Sequence, residues 1–154
     1  MFEKILYPTD FSDTAGKTLK YIKQLKDAGA KEVVVLNVIH QRTLDTIETI
    51  HSVVYFQDGR YQEDAEEAVK KMKEDRRKRL APIVAEMEQY GFKVKMRIEK
   101  GIPRREILKV EKEEDVSVIV MGSHGRSNVS GMLIGSVSEK VVRRSTKPVL
   151  IVKR

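Results

Sequence analysis

The run Val33-Val34-Val35-Leu36-Asn37-Val38-Ile39 decides the fold class of this chain. It is nearly continuous in apolar residues, most of them β-branched. That pattern is typical of a strand covered on both faces, as the strands of parallel sheets are. The chain on either side of the run should therefore alternate strands with helices, and the run predicts an α/β protein.

The flanking segments show this alternation. Further short apolar runs predict strands at residues 3–7, 92–98, 116–121 and 148–152. Apolar residues at helical spacing predict helices at residues 15–25, 63–90, 103–110 and 136–144. In the strand at 92–98, apolar and charged residues alternate, which favours a position nearer a sheet edge. The order predicts a single doubly wound domain over residues 1–154 with a parallel sheet.

Two segments interrupt the regular pattern. Helical and strand periodicity both fade over about residues 40–61, yet the segment is too apolar for a disordered linker, so we expect a partly ordered excursion. Pro82 interrupts the helical pattern of residues 63–90. Proline in a helix interior costs ~3 kcal/mol and kinks the axis, so we expect either a bent helix or two helices there.

The composition excludes several classes of protein. The 154 residues are 40% apolar and 34% charged, which fits one folded domain. Because there are no cysteines, disulfides, thiolate catalysis and cysteine-bound zinc are excluded, and the three histidines stand too far apart to support a metal site. No apolar run has the ~18 residues of a membrane span, and the first residues lack a signal-peptide pattern. We expect a cytoplasmic protein without membrane contact.

Two polar segments follow predicted buried strands. One is Pro8-Thr9-Asp10, and the other is Met121-Gly122-Ser123-His124-Gly125-Arg126, which continues to Gly135-Ser136-Val137-Ser138 at a helix start. Ligands of open α/β sheets bind beyond the carboxyl ends of the strands, where the strand order reverses. Glycines let backbone N–H groups approach an anion, and a helix N-terminus adds unpaired N–H groups and a positive dipole end. The segments predict a phosphate site that is neither a Walker P-loop nor Gly-x-Gly-x-x-Gly.

The spacing Gly122-x2-Gly125-x9-Gly135-Ser136, together with Pro8-Thr9-Asp10 and the closing Lys147-Pro148-Val149-Leu150-Ile151-Val152, resembles the ATP-binding branch of the universal stress protein family. The resemblance covers essentially the whole chain. It implies an adenine nucleotide alpha hydrolase-like fold, with a five-stranded parallel sheet in the order 3-2-1-4-5 and helices on both faces. It also implies ATP, with Mg or Mn held through the phosphates, and a homodimer formed through the last strand, Val149 to Val152. The excursion at 40–61 corresponds to the family's variable region.

The resemblance further implies roles for individual residues. Asp10 would hold the adenosine end of ATP with Thr9 and Pro8 beside it, and the backbone of Val38 would meet adenine. The residues lining ribose and phosphates would be Met121, Gly122, His124 and Gly125. The residues holding the phosphates would be Gly135, Ser136, Val137 and Ser138.

Each of these residues also has a simpler structural explanation. The glycines could be turn residues only, and Asp10 could be only a helix N-cap. Arg126 either pairs with phosphate or is solvated. A catalytic role for His124 has little support, because no residue is a persuasive base, and we assign no catalytic residue.

Three functions stay open at this point. The leading one is a nucleotide-dependent regulatory protein of the stress response, with an unidentified protein partner. The second is a slow ATPase or phosphotransferase. The third is a nucleic-acid binder that uses the basic helix around Arg76 to Arg79, motivated by the net charge of +7. It is less well supported, because the segment lacks interleaved aromatic residues and is explained by a solvated helix face.

Overall fold

The computed structural model describes residues 1–54, 61–124 and 134–153. Five strands and five helices occur in this part of the chain, in the order β1 Lys4–Pro8, α1 Asp13–Leu25, β2 Glu32–His40, α2 Gln41–Val54, α3 Tyr61–Gln89, β3 Lys93–Gly101, α4 Pro103–Glu113, β4 Val118–Gly122, α5 Ser136–Arg144 and β5 Val149–Val152. The strands form one sheet in the order β3-β2-β1-β4-β5, and every pairing is parallel. The predicted α/β class and strand order are confirmed.

The central strand β1 sends alternate side chains to opposite faces of the sheet. Ile5 and Tyr7 belong to a core cluster that also holds Ile22 of α1 and Leu80 of α3. Leu6 belongs to a second cluster, whose helical members come from α4 and α5. Because successive strand residues point to opposite faces, the two clusters lie on the two sides of the sheet. Helices therefore cover both faces, as predicted.

The outer strand β3 has one apolar face and one charged face. Its residues Val94, Met96 and Ile98 pack against the cluster that contains α1 and α3. The residues between them carry charge, and Arg97 pairs with Glu113 and Glu114 near the end of α4. This explains the alternating pattern and confirms the expected edge position.

The segment at 40–61 contains the helix α2, which the sequence did not predict. Its apolar residues recur every three positions, so they drift around the helix and do not hold one face. Leu44 is buried, Ile47 is half-buried, and Ile50 and Val53 are 55% and 75% exposed. Residues 55–60 of the excursion lie outside the described part of the chain.

The long helix α3 runs as one element through Pro82, so the alternative of two helices is wrong. Pro82 is exposed, whereas Leu80 and Met87 are buried and Ile83 packs beside them. Packing of this face against the sheet holds the element together despite the missing N–H of proline. No helix in the described part of the chain combines the length and the apolar character that crossing a membrane requires.

Candidate functional site

A cleft of about 370 Å³ opens at the carboxyl ends of β1, β2 and β4. Eleven of the thirteen predicted site residues line it: Pro8, Thr9, Asp10, Val38, Met121, Gly122, His124, Gly135, Ser136, Val137 and Ser138. The other two, Gly125 and Arg126, lie outside the described residues. The structure thus brings together two segments that are more than a hundred residues apart in sequence.

The loop after β1 is fixed by a set of short-range hydrogen bonds. The N–H of Thr9 donates to the carbonyl oxygen of Leu36 at 2.8 Å, which extends the pairing of β1 with β2. The N–H of Phe11 donates to Thr9 Oγ1 at 3.1 Å, and the N–H of Ser12 donates to Asp10 Oδ1 at 3.0 Å. Ser12, rather than Asp10, is the N-cap of α1. The Asp10 carboxylate therefore shapes the loop at the edge of the cleft.

Phe11 follows Asp10 in a strained conformation. Its φ is +65°, in the left-handed region that non-glycine residues rarely adopt and that costs on the order of 1–3 kcal/mol. Two arginines of α3 cover its ring: the Arg79 Cζ lies 4.0 Å from the ring centroid and the Arg76 Cζ 5.7 Å. Such cation–π contacts contribute about 0.5–1 kcal/mol each at exposed sites. Helix α3 thus holds the loop that carries Asp10.

The end of β4 packs closely against the start of α1. A Cβ atom at Gly122 would lie 2.9 Å from Thr14 Cγ2 and 3.3 Å from the Thr14 carbonyl carbon. The glycine is therefore required by the packing of α1, in addition to any approach of a ligand. Ser138 of α5 donates its hydroxyl to the carbonyl oxygen of Gly122 at 2.9 Å, which ties α5 to β4.

The helix α5 begins at the cleft, which its first residues Ser136, Val137 and Ser138 line. Its N-cap is Gly135, which has no side chain to bond the first N–H groups of the helix. The N–H of Gly135 donates to the carbonyl oxygen of Ser123 at 2.6 Å, so the start of the helix is anchored to the segment after β4. Because the Ser138 hydroxyl already donates to Gly122, the backbone N–H is what this residue offers to an anion. The arrangement can bind a phosphate group.

The cleft is also lined by residues that the sequence analysis did not assign to the site: Ala15, Leu36, Asn37, His40, Thr43, Arg76, Pro103 and Ile107. Arg76 belongs to the basic run that the sequence placed on a solvated helix face. It precedes the buried Leu80 by four residues, and this spacing indicates that it shares the inward face of α3. Arg77, in contrast, is exposed and pairs with Glu74 at 3.0 Å. The basic run therefore does not form one continuous face.

Beneath the cleft, Tyr7 links β1 to α1. Its hydroxyl donates to the carbonyl oxygen of Ala15 at 2.6 Å, and burial raises the pKa of Tyr7 to about 12. The phenol therefore stays protonated and keeps this hydrogen bond at every physiological pH. Near the opening, Ser123 Oγ and His124 Nδ1 are 3.0 Å apart. Within residues 1–54, 61–124 and 134–153, no cluster of three or more histidine or acidic side chains could hold a metal ion.

The chain is similar along its whole length to known proteins of one family. The universal stress protein family model matches residues 1–153. Universal stress protein MJ0577 of Methanocaldococcus jannaschii is 43% identical, over 100% of this chain and 96% of its own. The solved structure of MJ0577 is 42% identical, with a TM-score of 0.84 over 100% of this chain and 97% of that chain. A universal stress protein of Archaeoglobus fulgidus, solved in complex with dAMP, is 18% identical and shares the fold, with a TM-score of 0.58 over 99% of this chain and 98% of that one. This chain therefore belongs to the universal stress protein family.

Proposed function

We propose that the cleft binds ATP, with Mg or Mn held through the phosphates, and that the chain is a nucleotide-dependent regulatory protein of the stress response in the cytoplasm. One observation carries the proposal. The glycine-capped start of α5 and the Asp10 loop, which are distant in sequence, line a single cleft at the carboxyl edge of the sheet.

The start of α5 supports binding of the phosphates. The backbone N–H groups of Ser136, Val137 and Ser138 occupy the first turn, where they have no partner within the helix. A helix N-terminus stabilises a neighbouring anion by ~0.3–1 kcal/mol, and by up to ~2 kcal/mol when the site is partly buried. Because the described residues offer no cluster of metal-ligating side chains, we assign the divalent ion to phosphate oxygens and water.

The loop after β1 supports binding of the adenosine end. Asp10 lines the cleft, and its carboxylate oxygens are acceptors of the kind that ribose hydroxyls donate to. Pro8, Thr9 and Val38 line the same cleft. The Archaeoglobus relative with the same fold was solved with dAMP, an adenine nucleotide.

The contacts of Phe11 support a regulatory role over a catalytic one. Phe11 adjoins Asp10 and is covered by Arg76 and Arg79, so a ligand at Asp10 is linked through one residue to the seating of α3. A ligand that binds more tightly to one packing arrangement of α3 shifts the population of molecules toward that arrangement. We assign no catalytic residue.

Ligand-dependent melting tests the proposal. Protein freed of bound small molecules should melt at a higher temperature when Mg-ATP is added, and ATP should be identified by mass spectrometry in the material released from freshly purified protein. At 100 times Kd a ligand adds ~2.7 kcal/mol, which for this chain length corresponds to roughly 5–10 °C. Inorganic sulfate at the same ionic strength serves as control. An unchanged melting temperature with millimolar Mg-ATP would overturn the proposal.

We also propose that the chain forms a homodimer through β5. This strand ends the sheet and pairs only with β4 among the described strands. Its outward residue Leu150 is 39% exposed, although it lies in an apolar run. An uncovered apolar edge strand is a template for pairing with a second chain.

A further inference from the structure

The imidazole of His40 caps the start of helix α2. His40 is the last residue of β2, and α2 begins at the next residue. The backbone N–H of Arg42 donates to His40 Nδ1 at 3.1 Å. This is the hydrogen bond that an N-cap side chain accepts from the second residue of a helix. A nitrogen that accepts a hydrogen bond carries no proton, so the ring is neutral and has its proton on Nε2.

This hydrogen bond is lost when the His40 ring takes up a second proton. A protonated imidazole donates from both nitrogens and accepts at neither. Its positive charge also faces the first N–H groups of α2, where the helix dipole disfavours a cation. The first turn of α2 has no acidic residue to offset this charge, and it contains Arg42. Because histidine changes its charge between pH 5 and pH 8, the cap of α2 depends on pH.

A carboxylate of α4 lies close to His40 and can receive the protonated ring. Leu36 and Val38 pack in the core cluster that contains α4, and His40 continues their face of β2. His40 is paired in register with Gly101 of β3, and neighbouring strands are about 4.8 Å apart. The side chain of Glu106 packs on Gly101, where a Cβ would lie 2.7 Å from Glu106 Oε1. The carboxylate is therefore within reach of a ring that leaves the cap.

Glu106 is the acidic group best placed to stabilise a charge on His40. Its side chain is 17% exposed, and its ion pair with Lys109 is long, at 3.7 Å. A shielded carboxylate with a distant partner gains more from a protonated imidazole than an exposed one does. The further charged groups around His40 carry both signs and partly compensate one another. They are Asp10 before α1, Arg42 and Asp45 of α2, Arg76 of α3, Lys100 of β3, and Arg104 and Arg105 of α4.

We propose that His40 is a pH-dependent switch at the end of β2: the neutral ring caps α2, and the protonated ring turns to Glu106 and releases the first turn of that helix. The released turn carries Thr43, which lines the cleft together with Pro103 at the start of α4. Protonation therefore changes the wall of the cleft where β2 ends. The switch consists of residues of this chain alone and does not depend on which ligand the cleft binds.

Nitrogen-15 NMR of the whole chain at pH 7.5 and pH 5.5 tests the switch. At pH 7.5 His40 should be the Nε2–H tautomer, because its Nδ1 accepts from Arg42. At pH 5.5 the exchange protection of the Arg42 amide, corrected for the intrinsic effect of pH on exchange, should be about fivefold lower. This factor corresponds to the ~1 kcal/mol of one helix cap. Amides within β2, such as that of Val34, should keep their protection and serve as the internal control.

Variants separate the two positions of the ring. His40→Asn keeps an acceptor, because an asparagine Oδ1 occupies the place of Nδ1 and does not titrate, so Arg42 should be equally protected at both pH values. Glu106→Gln removes the charge that stabilises the protonated ring and should move the transition to lower pH without changing the state at pH 7.5. His51→Gln removes the other histidine of α2 and is the control, which should leave the transition in place.

Four results would overturn the proposal, and the first two need no variant. An Nδ1–H tautomer at pH 7.5 would show that His40 does not cap α2. Equal protection of the Arg42 amide at both pH values in the wild-type protein would show that the charge of the ring does not control the turn. A loss of protection that persists in His40→Asn would assign the effect to another group. An unchanged transition in Glu106→Gln would show that Glu106 does not receive the ring.

Discussion

Arg76 of α3 is a cation that lines the cleft. It lines the cleft beside the Phe11 ring, whereas Arg77, the next residue, pairs with Glu74 on the outer side of α3. Arg76→Gln should weaken Mg-ATP binding on the order of tenfold, because hydrogen bonds to charged groups contribute ~1.5–3 kcal/mol. Arg77→Gln is the matched control and should leave affinity within twofold. Equal effects of the two variants in titration calorimetry would show that Arg76 acts only through net charge.

At the residue scale, the sequence predicts the segments of the site better than it predicts its walls. Pro8-Thr9-Asp10 and the glycine-spaced segment follow strands, so the α/β pattern alone places them at one edge. Thr43, Arg76 and Ile107 lie on helices, and whether they reach the cleft depends on how α2, α3 and α4 seat against the sheet. How these helices pack against the sheet depends on tertiary contacts, which the glycine-spaced motif does not specify.

At the scale of the secondary-structure elements, α1 packs closely against β4, and alanine substitutions at two glycines should have opposite effects on stability. A Cβ at Gly122 would press on Thr14 at 2.9 Å, whereas a Cβ at Gly16 within α1 would meet nothing within 4 Å. Gly122→Ala should lower the free energy of unfolding by ~1–3 kcal/mol through overpacking. Gly16→Ala should raise it by ~0.5–1 kcal/mol through helix propensity. Urea denaturation measures both, and a Gly122→Ala protein as stable as wild type would mean that α1 can shift at no cost.

How well each strand or helix can be predicted depends on how regular its spacing of apolar residues is. The strands were predicted because burial on both faces leaves continuous apolar runs, as in β2. Helix α2 was missed because a spacing of three residues carries its apolar side chains off any single face. The continuity of α3 through Pro82 could not be decided from sequence either, because it depends on packing by Leu80 and Met87.

At the scale of the whole molecule, an ion-pair cluster joins the sheet to α4 and makes stability depend on pH. The carboxylate of Glu114 is 7% exposed and accepts hydrogen bonds from Lys95 at 2.7 Å, Arg97 at 2.9 Å and Lys4 at 3.1 Å. The hydrogen bond from Lys95, with further ones from Lys4 and Arg97, lowers the pKa of Glu114 from 4.5 to about 2, against the opposing effect of burial. Because the folded-state pKa lies below the unfolded one, the stabilisation is complete above pH 4.5 and is lost as the pH falls toward 2.

Glu114→Gln should therefore lower the free energy of unfolding at pH 7 and flatten its decline between pH 5 and pH 2, by up to roughly 3 kcal/mol over that range. Urea denaturation at a series of pH values measures this slope. Glu67→Gln removes an exposed pair with Lys71 and is the control, since surface pairs contribute about 0–1 kcal/mol. A Glu114→Gln protein with the wild-type slope would assign the acid sensitivity to other carboxylates.

The proposed homodimer is also a prediction at this scale. Leu150→Lys places a charge on the uncovered edge of β5 and should convert a dimer to a monomer in analytical ultracentrifugation. Tyr21→Lys on α1 changes a residue of similar exposure away from β5 and should leave the dimer intact. A dimer that persists in the Leu150→Lys protein would place the interface elsewhere.

The pairing of β1 with β4 has a consequence for synthesis on the ribosome. Lys4 begins β1 and bonds Ser117, 113 residues later, just before β4. At about 5–20 residues per second, the ribosome needs roughly 6–23 s to make the intervening chain. Strands β2 and β3 emerge early and can join β1, but one side of β1 stays open through that interval. The Asp10 loop is thus synthesised well before α5, so the cleft can be completed only after α5 has been made.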